Sequence, residues 1–191
     1  MTSQDTRTTA ADAMPDEEAI LSRGQGEVHD PIHRVSYSFR HHGTDLWVYS
    51  WLEDGGHLPE HFHPSLEEHW ETVEGSARVK LDGIWRDLVP SDGPVLVARS
   101  VRHELKNESG RLAKLRTKVT PAGRLEEFLI ESAGAAREGL YSARNLPTGW
   151  RGATWIADFA LRFQDETVMT SPPPALQRLT LPLLARFARR S

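Results

Sequence analysis

His61 and His63 stand two apart in the run Gly55-Gly56-His57-Leu58-Pro59-Glu60-His61-Phe62-His63-Pro64-Ser65-Leu66-Glu67-Glu68. On an extended strand such residues point to one face, so two imidazoles can chelate one ion. Neutral imidazole is the commonest side-chain ligand for borderline metals. Glu68 follows after a turn, and the next strand can carry its carboxylate back to the same ion. Glu67 competes for that role. Two histidines and a carboxylate leave coordination positions open for water, oxygen or substrate. His103 is the last of the 9 histidines and the only imidazole left downstream to complete the set. A three-His, one-Glu shell suits one divalent transition metal: iron, manganese, nickel, zinc or copper. The chain has no cysteine, so any such ion must be held by nitrogen and oxygen.

The elements that must position these groups read as short strands. Val35-Ser36-Tyr37-Ser38-Phe39 alternates, as does Leu46-Trp47-Val48-Tyr49-Ser50-Trp51. His69 to Val73, then Ala77, Val79 and Leu81, then Val95 to Val97, then Ala113, Leu115, Thr117 and Val119 continue the pattern. Asp82-Gly83 is a hairpin turn signal. Many short strands separated by Gly, Pro and Asp turns predict an antiparallel sandwich or barrel over residues 33–121. Residues 1–32 are polar, and the first fifteen or so read as a disordered leader. From residue 122 to 191 the periodicity turns helical. Leu125, Phe128, Leu129 and Ile130 mark one stretch, and Trp155, Phe159, Leu161 and Phe163 another, stopped by Ser171-Pro172-Pro173-Pro174. A last amphipathic helix runs from Leu176 to Arg190, with Arg186, Arg189 and Arg190 at the negative end of its dipole.

The stretch around His61 resembles the first motif of the cupin superfamily: Gly, His-x-His, Glu and Gly at set spacing. Gly55, His61, His63, Glu68 and Gly75 fill its positions. His103 and Asn107 match the second motif, whose Pro and Gly are here Ala98 and Ser100, with the leading Gly displaced to Gly93. The resemblance implies a small antiparallel jelly-roll β-barrel with the metal on His61, His63, Glu68 and His103 near one mouth. It also implies a metal-dependent enzyme that binds a small molecule and forms a homodimer. A dioxygenase-type oxidoreductase acting on a phenolic or enolisable substrate leads, with Glu68 also available as a base. A redox-neutral isomerase, cyclase or hydrolytic enzyme is the alternative, and a non-catalytic ligand-binding barrel the third.

Other residues offer weaker chemistry. Trp47, Tyr49, Trp51, Trp70 and Asn107 are candidates to line a substrate pocket, although aromatic residues on strands more often pack a core. Arg78, Lys80, Arg116 and Lys118 could meet an anion, against the plainer reading of a solvated strand face. His57 and Glu60 could act in acid–base chemistry near the mouth. The apolar face of the last helix, Leu181, Leu183, Leu184 and Phe187, suits packing on the barrel or a partner better than a membrane surface.

With 23 Lys+Arg against 27 Asp+Glu over 191 residues the chain is mildly acidic, which argues against nucleic-acid binding. No helix-turn-helix signal stands outside the strands. No apolar run approaches the roughly 20 residues of a membrane span. The first residues carry no apolar core of a secretory signal. A cytoplasmic protein is expected.

Overall fold

The computed structural model describes residues 16–188. Eleven strands and four helices succeed one another in it. The helix α1 (Glu17–Leu21) and the strand β1 (Val28–Asp30) come first. The barrel strands follow: β2 (Val35–His42), β3 (Asp45–Leu52), β4 (His57–Phe62), β5 (Glu67–Glu74), β6 (Ala77–Leu81), β7 (Ile84–Leu88), β8 (Val95–Val97), β9 (His103–Lys106) and β10 (Ala113–Thr120). Then come α2 (Leu125–Arg137), α3 (Gly149–Arg162), β11 (Val168–Met169) and α4 (Pro174–Ala188).

Two antiparallel sheets form the core. One runs β1-β2-β3-β10-β5-β8 and the other β11-β4-β9-β6-β7. Their inner faces enclose one apolar core in which Val35, Leu52, Val79, Leu105 and Leu115 are buried. Alternation sets which side chains enter it. On β10, Ala113, Leu115, Thr117 and Val119 are buried while the lysines and arginine between them reach outward. Turn chemistry sets the connections. Asp82 and Gly83 both adopt positive φ, which the two-residue hairpin between β6 and β7 requires. Gly75 has φ +77°, and a Cβ there would lie 2.6 Å from the Leu112 carbonyl oxygen. The motif glycine therefore answers to sterics as well as to turn geometry.

The polar N-terminal extension, expected to be mostly disordered, is not so throughout. Residues 1–15 lie outside the described residues, but residues 16–32 carry α1 and β1, and β1 pairs with β2 in register Val28↔Tyr37. The C-terminal helices are present as expected, with one addition. The segment between α3 and α4 supplies β11, which pairs with β4 at Val168↔Phe62 and Met169↔His61. The proline run does not simply end a helix: Pro174 opens α4, where a missing N–H is harmless. Arg189 and Arg190 of the expected last helix lie outside the described residues.

The row Trp47, Tyr49 and Trp51 faces away from the barrel interior. It packs with Ile20 of α1 into a separate buried cluster, and Trp51 Nε1 donates to the Arg23 carbonyl at 3.0 Å. As candidate pocket residues they line neither of the cavities described below and pack instead, as the plainer reading of strand aromatics had it. Alternation on β3 gives the interior to Val48 and Ser50, and α1 covers the other face.

Candidate metal centre

His61 is the last residue but one of β4, His63 follows that strand directly, Glu68 is the second residue of β5 and His103 starts β9. β4 and β9 are neighbours and pair His61 with His103 directly, after a register shift between Leu58 and His61. That shift matters. Strict alternation would put His57 on the face of His61, but Leu58 and His61 line the same cavity instead. His57 contacts Glu104 at 2.7 Å, and Glu60 pairs with Lys80 at 3.1 Å. Neither lines the interior, so the expected acid–base role for His57 and Glu60 at the mouth has no geometric basis.

The three imidazoles His61, His63 and His103 converge, with one nitrogen of each within 4.8 Å of the others. Each ring is oriented by a backbone carbonyl. His61 Nδ1 donates to Pro59 at 2.7 Å, His63 Nδ1 to Glu166 at 2.6 Å, and His103 Nδ1 to Val101 at 2.9 Å. A carbonyl can only accept, so each Nδ1 carries the proton and each Nε2 keeps its lone pair. Metal-binding histidines are held in this way. Nε2 of His63 and of His103 is buried without a hydrogen-bond partner, an expensive arrangement unless a ligand satisfies it. The donor set fits a transition-metal ion.

Glu68 lies beside the triad. Its Oε2 is 3.3 Å from Nε2 of both His63 and His103 and accepts from Trp70 Nε1 at 2.9 Å. Burial alone would raise the Glu68 carboxyl, but the adjacent His63 and His103 hold it well below the usual range. His61 is pushed well below its ordinary value, first by burial and then by the neighbouring His103 and His63. Burial opposes the charged form of His63, yet the Glu68 carboxylate outweighs it and shifts that ring upward. Glu67 falls on the other, half-buried face of β5.

Of the residues expected to line a pocket, Trp70 does so, in a small cavity of about 60 Å³ that it shares with His61, His63 and Glu68. Asn107 is buried but serves the backbone: its amide donates to the carbonyls of Leu52 at 2.8 Å and Arg111 at 2.7 Å. Nor do the candidate anion-binding cations stand free. Arg78 pairs with Asp87 and Glu108, Lys80 with Glu60 and Glu104, Arg116 with Glu17 and Glu71, and Lys118 with Asp45.

A larger cavity of about 460 Å³ adjoins this one. Tyr37, Leu58, His61, Phe128, Leu129 and Thr167 line both. Its far wall comes from the C-terminal extension, including Trp155 and Phe159, stacked with ring centroids 4.5 Å apart. A polar cluster sits at its edge. Asp30 accepts from His33 Nδ1 at 2.8 Å and from the Tyr141 hydroxyl at 3.1 Å. His33 Nε2 meets Asn145 Oδ1 at 3.0 Å. Sequence reasoning missed Tyr37, this cluster and the extension's wall, because their spacing carries no motif. The one available hint was the aromatic content of the helical stretch.

No family model matches the chain, and no curated protein does. Solved structures resemble it over about half its length. An RmlC-like cupin from Shewanella frigidimarina is 22% identical, over 55% of this chain and 93% of its own, with TM-score 0.46. KdgF from a Halomonas species is 16% identical, over 52% and 90%, with TM-score 0.45. The Cupin_2 domain of an XRE family transcriptional regulator from Enterobacter cloacae is 22% identical, over 45% and 95%, with TM-score 0.40. The fold itself is read from two facing antiparallel sheets and from motif residues that stand at its turns and around its histidine cluster. On that ground the β-core of this chain is a two-sheet antiparallel barrel, with its motif residues where the resemblance to the cupin superfamily implies, extended at its C-terminus by helices.

Proposed function

We propose that this chain is a metal-dependent cupin enzyme, with Nε2 of His61, His63 and His103 and a carboxylate oxygen of Glu68 holding one divalent transition-metal ion. The observation that carries the reading is the set of converging imidazoles, two buried and His61 half-buried, whose Nδ1–H groups are all committed to carbonyls, leaving the Nε2 lone pairs free for an ion. A metal there would supply Lewis-acid polarisation of a bound oxygen and a place for dioxygen. The chain's own residues do the rest. Trp70 fixes the Glu68 carboxylate by its indole N–H. Leu58, Phe128 and Leu129 keep the approach apolar and exclude water, which strengthens charge interactions at the site. His61, lining both cavities, is the ligand nearest to an incoming substrate.

Within this class we favour a dioxygenase-type oxidoreductase acting on a small phenolic or enolisable molecule. Support comes from the open side of the cluster at His61 and its apolar surroundings. Among the similar solved structures is a recombinant oxalate oxidase in complex with glycolate, and another is described as a sugar phosphate isomerase. The redox-neutral reading therefore remains the second. Metal analysis of untagged protein, beside His61→Ala and His103→Ala, tests the centre. Bound iron with substrate-dependent oxygen uptake supports the oxygenase. Turnover of the same substrate without oxygen consumption supports an isomerase or cyclase. A folded chain that takes up no metal from any of the five divalent candidates overturns the reading.

A further inference from the structure

The larger cavity adjoins the small one and owes most of its wall to the extension. At about 460 Å³ it falls within the roughly 300–1,000 Å³ of small-molecule sites. Its body is apolar: Leu58 and Phe62 from β4, Phe128 from α2, Trp155 and Phe159 from α3, and Met169 from β11. Charge is nearly absent from it. Asp30 is engaged within its own cluster by His33 and Tyr141, while Asp165 and Arg178 are exposed at the rim. In the metal-free chain an anionic ligand would lose its water in this cavity without gaining a buried counter-charge, which is costly.

Tyr37 is only 4% exposed, and its hydroxyl, which is not among the fully enclosed unpartnered atoms, belongs to a side chain that lines both cavities. A phenol keeps its O–H as a donor, which a group in the cavity can accept. The neighbouring polar groups are already committed: Tyr141 bonds Asp30 and Ser132, and Asn145 bonds His33. Tyr37 also lines the small cavity beside His61 and Glu68, so a group bonded to it lies on the metal side of the larger space. Burial, then the charges of Asp30, Tyr141 and Glu68, hold the Tyr37 phenol well above its ordinary range, and it stays protonated.

We infer that this cavity binds an uncharged, mostly hydrocarbon molecule with a single oxygen acceptor, such as an aryl ketone, whose oxygen accepts from the Tyr37 O–H beside His61. The inference deepens the enzyme reading by naming its substrate class, but the binding itself does not require the metal. The Asp30–His33–Tyr141 cluster serves as a positioning device that ties β1 to the helices forming the far wall.

The test uses the full chain, both chelator-treated and metal-loaded, with 2-acetylnaphthalene, 2-methylnaphthalene and 2-naphthoate as probes followed by tryptophan fluorescence and calorimetry. Saturable one-to-one binding of the ketone by both forms is expected, with the carboxylate bound at least about tenfold more weakly by the chelator-treated chain. Tyr37→Phe should weaken the ketone about three- to tenfold and leave the methyl compound unchanged. Ala160→Phe, which fills the space, should weaken both neutral probes by about tenfold or more, and Ile156→Trp should act alike if Ala160→Phe fails to fold. Metal content of the folded variants should match wild type. Tighter binding of the carboxylate by the chelator-treated chain, or ketone binding indifferent to both the filling variants and Tyr37→Phe, overturns the inference. A chain that binds the ketone but no metal would sink the enzyme reading and leave this one standing.

Discussion

His63 and Glu166 are joined across the barrel edge: the imidazole Nδ1–H donates to the Glu166 main-chain oxygen at 2.6 Å. A histidine of the barrel motif is thus aimed by the C-terminal extension, and Thr167 Oγ1 lies 3.3 Å from the same nitrogen. The Glu166 side chain secures this segment by accepting from the Arg124 N–H at 3.2 Å. The extension therefore orients the candidate centre as well as walling the cavity.

The first prediction follows from that tie. Glu166→Ala releases the segment without touching any histidine. Metal affinity, measured by competition with a chromophoric chelator, should fall by up to about tenfold, the lower end for residues that orient a ligand. An affinity equal to wild type would show that the carbonyl is held by the strand pairing of β11 alone.

The centre should also contribute to stability when filled. With free metal at about 100 times its dissociation constant, binding to the native state alone adds about 2.7 kcal/mol. Wild type should therefore unfold at higher urea with metal than with chelator. His63→Ala and His103→Ala should lose most of that difference. Variants that keep the full metal-dependent shift would exclude these histidines as ligands.

Asp30 gives a pH prediction away from the centre. Burial would raise its carboxyl, but the His33 side chain and the N–H groups of His33 and Ile32 outweigh this and lower it below 3.8. A carboxyl lowered by folding stabilises the native state above its unfolded value. That contribution is lost as pH falls through the unfolded value towards the folded one. Urea titrations should show Asp30→Asn less stable than wild type by about 1–3 kcal/mol at pH 7. The gap should narrow below about pH 4. A gap that stays constant down to pH 3 would mean the carboxylate charge is not what matters.

The aromatic row on β3 should behave as structure. Ile20→Ala removes the side chain on which Trp47, Tyr49 and Trp51 close, and should cost about 2–4 kcal/mol. Metal content and binding of 2-acetylnaphthalene should not change. A selective loss of ligand binding, with stability intact, would return those aromatics to the pocket.

Local chemistry in the chain was enough to place the strands and the ligand candidates. Alternation at Ala113 to Val119 requires one buried face, Asp82-Gly83 requires a tight hairpin, and His61, His63, Glu68 and His103 stand at spacings that strands can bring together. Glu67 and Glu68 stayed in competition in the sequence, and the fold separates them: Glu68 shares the buried face of β5 with Trp70, and Glu67 lies on the other. What the tertiary structure decided is which face of each strand looks inward and what covers it. The register shift in β4 sent Leu58 inward and His57 out, and α1 claimed the face of Trp47, Tyr49 and Trp51. Tyr37 came to line a cavity with Phe128, Trp155 and Phe159 only because helices more than 80 residues downstream supply its far wall. Such long-range packing has no period or motif in the chain, since it depends on surfaces that exist only once the sheets have formed.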